Sequence, residues 1–322
     1  MGLTIIRDFR KEDFDDVIEC SKASFAEEFE IEGFDPEVWR KIANWRFSVL
    51  GKTLFGFLKL LDKEPMKFFV AEVNGKVVGT TMVTKRGNTG YVSTVMVHSD
   101  FRRKGIATEL VKTAIDYVRK RKLTRVILHV ISTNNPAKSL YQKLGFKKFD
   151  DLLYLTIEMD SLQIPESAEG IQVRAFQKSD LDPVYELIKT LRDPSWLKIY
   201  DFSKNDLRTP WLSRIAPMST LKKIVAVKDE KIVGYASLSY TTAKEAGRIT
   251  SIDASPELVS MGIEEELIRM SANYVKSSGT KTVLVTVPLK KEELIKRLRV
   301  LGFEKRLVME GMVLELMRKD QP

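Results

Sequence analysis

The chain has 322 residues, of which 43% are apolar and 30% charged, and carries a net charge of +9. That length suggests two domains of about 160 residues, each large enough for its own core, and the composition suits a globular protein in water. No apolar run approaches the ~20 residues of a membrane span, and Cys20 is the sole cysteine, so neither a helical membrane protein nor a disulfide scaffold is expected. One thiol, together with a start (MGLTIIRDFRKEDF) that lacks an apolar signal core, points to a reducing cytoplasm. The charge is spread, with 27 Lys+Arg against 22 Asp+Glu in residues 1–160 and 26 against 22 in the remainder. No basic stripe is interleaved with aromatic residues, so no nucleic-acid partner is expected, and no membrane partner either.

In chain order, IIRDFRKEDFDDVIE reads as a strand turning into a helix whose start is acidic, as the helix dipole favours. Residues 25–68 follow, rich in Phe and Trp. Trp39, Ile42 and Trp45, and then Leu54, Phe57, Leu58 and Leu61, fall at helical spacing. Such stripes mostly pack a core, although this one is also the best candidate for a substrate wall. Phe69–Val83 reads as a hairpin turning at Asn74-Gly75. Next come the short apolar strand ending in VMV, the loop HSDFRRKG, and an amphipathic helix from about Gly105.

That loop suits a pyrophosphate. The first N–H groups of a helix lack partners and carry partial positive charge. Gly105 and Ala107 let the backbone approach an anion closely, and Arg102, Arg103 and Lys104 add cationic charge. Further on, LHVISTNNPAKSLYQKLGF reads as a strand, a capped helix and the start of another strand. The spacing Arg-x-x-Gly-x-Ala, followed by Asn134, Ala137, Leu140, Tyr141 and Leu144-Gly145-Phe146, resembles the acyl-CoA-binding signature of the GNAT superfamily of N-acetyltransferases. The resemblance is strong over residues 70–150. It implies an α/β (α+β mixed-sheet) fold with a central mixed β-sheet flanked by helices. It also implies acetyl-CoA as cosubstrate and direct attack by a primary amine.

The chain also repeats itself. Arg7, Phe9, Lys11, Asp13, Asp15, Val17 and Glu19 recur 167 positions on, as Arg174, Phe176, Lys178, Asp180, Asp182, Val184 and Glu186. Val78-Gly79 returns at an offset of 155 as Val233-Gly234, and Leu144-Gly145-Phe146 returns at 157 as Leu301-Gly302-Phe303. We therefore expect two tandem GNAT-like acetyltransferase domains: a catalytic copy at 1–160, a linker at 161–170, and a degenerate copy at 171–322. At the 157 offset Gly105 maps to Gly262, but Arg102 maps to Val259, Ala107 to Glu264, Asn134 to Lys291 and Tyr141 to Leu298. Glu264, Glu265 and Glu266 would put carboxylates where a pyrophosphate should sit, and like charges repel it.

The resemblance assigns roles in the first copy. The backbone of Arg103, Lys104, Gly105, Ile106, Ala107 and Thr108 would hold the pyrophosphate. Val95 and Val97 would pair with the pantetheine amides, and Asn134 and Ala137 would flank the cofactor where strand and helix diverge. Asn134 equally suits a helix N-cap before Pro136. Tyr141 stands at the superfamily's general-acid position, although Leu140 and Leu144 beside it also fit a core aromatic. His129, five residues before Asn134, stands where a related branch places a glutamate. It is the candidate general base, or else a buried strand residue between Leu128 and Val130. Tyr91, Ser93 and Glu72 are reserves, and His98 reads as structural. No zinc-type Cys/His cluster occurs, so no metal is expected. A small-molecule or peptide amine acceptor is expected, on a monomer or homodimer. The rival reading is a non-catalytic acyl-CoA-binding sensor or scaffold, which would have no use for Tyr141.

Overall fold

The computed structural model describes residues 3–24, 40, 43–45, 47–60, 64, 66–162, 170–209, 220–240 and 246–316. They form two compact units whose membership departs from chain order: residues 1–149, 199–201 and 310–322 in the first, and residues 150–198 and 202–309 in the second.

The first unit holds β1 (Thr4–Asp8), α1 (Phe14–Ser24), α2 (Val49–Leu60), β2 (Met66–Val73), β3 (Lys76–Arg86), β4 (Thr89–Val97), α3 (Ile106–Lys120), β5 (Arg125–Ile131) and α4 (Asn135–Lys143). Its sheet runs β1-β2-β3-β4-β5 and is completed beside β5 by the last residues of β12 (Glu304–Glu315). Pairing is antiparallel from β1 to β4 and parallel between β4 and β5, so the sheet is mixed. The hairpin turns where expected, with Asn74 at φ 51 and Gly75 at φ 81, the two left-handed residues of a type I′ turn. The core joins alternate residues of β5 (Val126, Leu128, Val130) to the apolar stripe of α3 (Leu110, Val111, Ala114, Ile115, Val118), and Met312 and Leu316 join it from the end of the chain. Trp39, Ile42, Leu61 and the Leu58 side chain lie outside the described residues. Phe57 is exposed, and Cys20 is buried.

The second unit repeats this scheme with β7 (Gln172–Ala175), α5 (Leu181–Leu191), α6 (Pro194–Ile199), β8 (Thr220–Lys228), β9 (Lys231–Tyr240), β10 (Ala246–Ala254), α7 (Ile263–Ser277), β11 (Thr282–Pro288) and α8 (Glu292–Val300). Its sheet runs β7-β8-β9-β10-β11 and continues with β6 (Lys147–Glu158), whose residues 152–158 pair antiparallel with β11. The β8–β9 turn holds Asp229 at φ 47 and Glu230 at φ 62, a left-handed pair with no glycine to relieve it.

The duplication extends to single contacts. Arg7 grips Asp13 with two hydrogen bonds of 2.7 Å, and Arg174 grips Asp180 in the same way at 2.6 and 2.9 Å. Each carboxylate also accepts the backbone N–H three residues before it. A Cβ on Gly90 would run into Val118, and one on Gly247 would run into Val275. In both pairs the absent side chain lets a helix lie directly on the sheet. Each unit is thus a mixed sheet flanked by helices, and among the described residues no helix is long and apolar enough to cross a membrane.

Candidate active site

The site of the first unit begins where two strands part. Parallel pairing of β4 with β5 covers only Thr89↔Arg125, Gly90↔Val126 and Tyr91↔Ile127. Beyond Tyr91 a bulge interrupts β4: Met82 faces Ser93 and Thr80 faces Met96, with Thr94 forced to φ 55. A bulge adds twist and turns the strand away from its neighbour. The result is a wedge open toward the C-terminal ends of β4 and β5, with Val95 and Val97 on its β4 edge. The helices that follow these strands, α3 and α4, both start at that open end.

The loop into α3 is shaped by two left-handed residues, Arg103 at φ 63 and Gly105 at φ 82. Among the described residues nothing lies within 4 Å of where a Gly105 Cβ would stand, which suits the approach of a bound group. The first α-helical bond runs from Glu109 N to Gly105 O, which leaves the N–H groups of Ile106, Ala107 and Thr108 free of intrahelical partners. Ile106 itself is anchored in the core, while Ala107 and Thr108 are half-buried. The cations divide their work. Arg102 donates to Val97 O at 3.2 Å and reaches the carbonyls of Ala23 and Ser24, capping the last turn of α1. Lys104 donates to Asp100 O at 3.0 Å and lies over the Phe101 ring. Arg103 is exposed.

At the second rim Asn134 caps α4, its Oδ1 accepting Ala137 N at 3.1 Å, with Pro136 in the first turn. Ala137 packs against the core. Tyr141, two turns on, is buried edge-to-face against Phe146, and burial pushes its phenol up to about 12. It therefore stays protonated throughout the neutral range.

His129 sits on the face of β5 opposite Leu128 and Val130. Nδ1 is 3.1 Å from Tyr91 Oη on β4, and Nε2 is 2.9 Å from Tyr200 Oη. The Phe149 ring closes the cluster edge-on to both His129 and Tyr200. Burial lowers His129 to about 4, so the imidazole is neutral at pH 7 and offers one donor and one acceptor nitrogen. The reserve candidate Tyr91 is thus part of the site. Glu72 is not, because Arg7 Nε holds it at 2.7 Å. His98 accepts Asp100 N at the start of a short helical turn. Tyr200 belongs to no motif, and nothing in the sequence pointed to it.

The same architecture recurs among known proteins. The model of the acetyltransferase (GNAT) family matches residues 22–146. An acetyltransferase of Sodalis glossinidius is 35% identical over 95 residues, covering 30% of this chain and 67% of that protein. This chain belongs to the GNAT family. N-alpha-acetyltransferase 30 of Dictyostelium discoideum is 31% identical over 117 residues, covering 35% of this chain and 63% of the relative. An uncharacterized N-acetyltransferase of Methanocaldococcus jannaschii is 33% identical over 153 residues, covering 44% and 60%. The chain thus spans about three-fifths of the length of these two curated relatives. Among solved structures, a tandem GNAT protein from the clavulanic acid biosynthesis pathway matches 99% of this chain and 100% of its own, with a TM-score of 0.69 at 17% identity. A GCN5-related N-acetyltransferase from Sphaerobacter thermophilus matches 97% and 95%, with a TM-score of 0.65 at 20% identity. At such identities these two show the fold, a tandem GNAT arrangement.

The second GNAT unit has the same wedge, since β10 and β11 pair only as far as Ile249↔Val285. Side chains fill it. Lys291, at the position of Asn134, donates to Ile252 O at 3.0 Å and lies 3.3 Å from Asp253 Oδ1, while Arg192 holds Asp253 Oδ2 at 2.8 Å. Burial alone would raise the fully enclosed Asp253 carboxyl, but Arg192 and Lys291 outweigh it and leave it at about 2. At the loop, Arg297 donates to Val259 O at 2.8 Å and to Glu265 at 3.3 Å, and burial raises the neighbouring Glu264. Gly262 keeps its left-handed φ of 78, so the turn survives, with Glu264, Glu265 and Glu266 in the first turn of the helix that follows.

Proposed function

We propose that this GNAT protein transfers the acetyl group of acetyl-CoA to a primary amine by direct attack, with the copy at 1–160 active and the copy at 171–322 carrying no cofactor. The observation that carries this reading is the β4–β5 wedge with, at its mouth, the first N–H groups of α3, which have no intrahelical partner. A thioester arm fits between two strand edges, and its pyrophosphate fits the helix start. In the second copy, Lys291 and Asp253 stand in the corresponding space.

Tyr141 holds its proton at Oη and offers it to the departing sulfur. A phenol near 12 facing a thiol of about 8.5 acts chiefly by hydrogen bonding to the thiolate. His129 is a weak base at about 4. Taking a proton from a free α-ammonium of about 7.7–8.0 is uphill by roughly 5 kcal/mol, and from a lysine of about 10.4 by roughly 9 kcal/mol. The ring therefore receives the proton only as the new N–C bond makes the nitrogen acidic, and the amine must arrive neutral. About a tenth of α-amines are neutral at pH 7, against about one lysine in 2,500. We therefore assign the acceptor to the α-amines, such as a peptide N-terminus. The similarity to a protein named N-alpha-acetyltransferase 30 supports the same assignment.

The test compares release of CoA with a peptide bearing a free α-amine and no lysine against an α-blocked peptide bearing lysine. The α-amine peptide should react roughly 10²-fold faster, the ratio of neutral fractions. Faster reaction of the lysine peptide would overturn the acceptor assignment. Absence of turnover with every amine, despite binding of acetyl-CoA, would favour the sensor reading.

A further inference from the structure

Tyr200 reaches the site from a segment 71 residues beyond His129 in the chain, and that segment is held in place by its own set of contacts. Asn88 N donates to Asp201 Oδ2 at 2.7 Å, and Thr89 Oγ1 donates to Ile199 O at 3.3 Å. Gly87, at φ 55, leaves the space that the Asp201 carboxylate occupies, and a Cβ there would collide with it. Ile199–Asp201 is thus clamped onto the β3–β4 turn, at the closed end of the wedge. Tyr200 is buried, with its ring stacked on His129 at 6.3 Å and edge-on to Phe149 at 5.6 Å.

We propose that Tyr200 is a positioning residue for acetyl transfer, its Oη accepting Nε2–H of His129 and so fixing the tautomer whose Nδ1 lone pair faces Tyr91. This rests on the reading of the first unit as an acetyltransferase with His129 as its proton acceptor. A neutral imidazole donates from one nitrogen and accepts at the other, and the partner of the donor nitrogen decides which is which. With Nε2–H held by Tyr200, Tyr91 Oη donates to Nδ1. When the amine loses its proton, Tyr91 Oη takes it and passes its own to Nδ1. His129 then carries one positive charge, with an N–H on each nitrogen and a phenol oxygen to receive each. Without Tyr200 the ring populates both tautomers, and the Nδ1–H form cannot accept from Tyr91. Among the described residues, the titratable groups hydrogen-bonded to the ring are these two tyrosines, and its downward shift comes from burial. A short segment of the duplicated half of the chain thereby contributes to the site of the first.

The chain holds only two histidines, His98 and His129, so ¹⁵N-histidine NMR resolves them, and His129→Gln identifies the signals. The intact protein should show His129 as the Nε2–H tautomer. Tyr200→Phe keeps the ring and the packing; it should give a tautomer mixture and lower kcat by tenfold or more, while leaving acetyl-CoA affinity unchanged by calorimetry. Asp201→Ala, which releases the segment without touching the cluster, should move both readouts in the same direction. An Nδ1–H tautomer in the intact protein, or Tyr200→Phe with unchanged tautomer and turnover, overturns the proposal. The NMR result stands whether or not an acceptor amine is found, so failure of the acetyltransferase reading is told apart from failure of this one.

Discussion

Replacing His129 with glutamine removes a half-buried ring that resists protonation, and the effect on stability can be worked out. Burial lowers His129 from 6.5 to about 4 in the folded chain. At 1.36 kcal/mol per unit this corresponds to about 3 kcal/mol. The sign follows from which state binds the proton. Above pH 6.5 neither state is protonated and the stability is fully present. As pH falls toward 4 the unfolded chain takes up a proton that the folded chain refuses, so stability is lost. Between pH 7.5 and 4.5 the intact protein should lose about 2.5 kcal/mol more than His129→Gln. Amide hydrogen exchange read on β5 measures the opening of the first unit, and β11 reports the second as an internal control. A difference below about 1 kcal/mol between the two proteins on β5 would refute the burial argument. Equal loss on β5 and β11 would show that the ring is not its source.

Four further outcomes are expected. Gly105→Glu should abolish acetyl-CoA binding while Gly262→Glu leaves it intact, and calorimetry should find one site per chain; two sites would mean that the Lys291–Asp253 cluster yields to the ligand. Tyr141→Phe should cut turnover roughly 10²-fold with acetyl-CoA affinity unchanged, since only the departing sulfur needs its proton. Gly90→Ala should cost about 1–3 kcal/mol by overpacking against Val118, read as a lower melting temperature, and a neutral effect would mean that α3 can lift from β4 at little cost. Asp253→Ala should destabilise the second unit by about 3–5 kcal/mol, because Arg192 and Lys291 are left without their counter-charge, and denaturation followed by exchange on β11 would measure it.

What could be read from the sequence was local. Gly105 at a helix start, Asn134 before Pro136, and Asn74-Gly75 between apolar runs each carry their geometry within four or five residues, and the structure places all three as expected. Side-chain direction was less legible. Arg102 and Lys104 sit in a basic loop, yet one caps α1 and the other lies on Phe101, because nearby carbonyls and an aromatic face attract them. The replacement of Asn134 by Lys291 showed that the second wedge had changed. That the lysine fills it with Asp253 and Arg192 depends on Arg192, which lies almost 100 residues earlier in the chain. Tyr200 was invisible for the same reason: its partner His129 is brought to it by folding and by no pattern in the chain.

The departure of unit membership from chain order has a consequence for synthesis. The strand that flanks β5 in the first unit comes from residues 310–315, so β5 has no neighbour on that side until the ribosome has passed them. From residue 149 to residue 316 is 167 residues, roughly ten to thirty seconds of elongation at about 5–20 residues per second. Throughout that interval the nascent first unit exposes an open edge rich in Val and Ile, the kind of surface on which chains aggregate. Codon usage and chaperone access over the second half of the message therefore bear on the yield of a candidate site encoded almost wholly in the first.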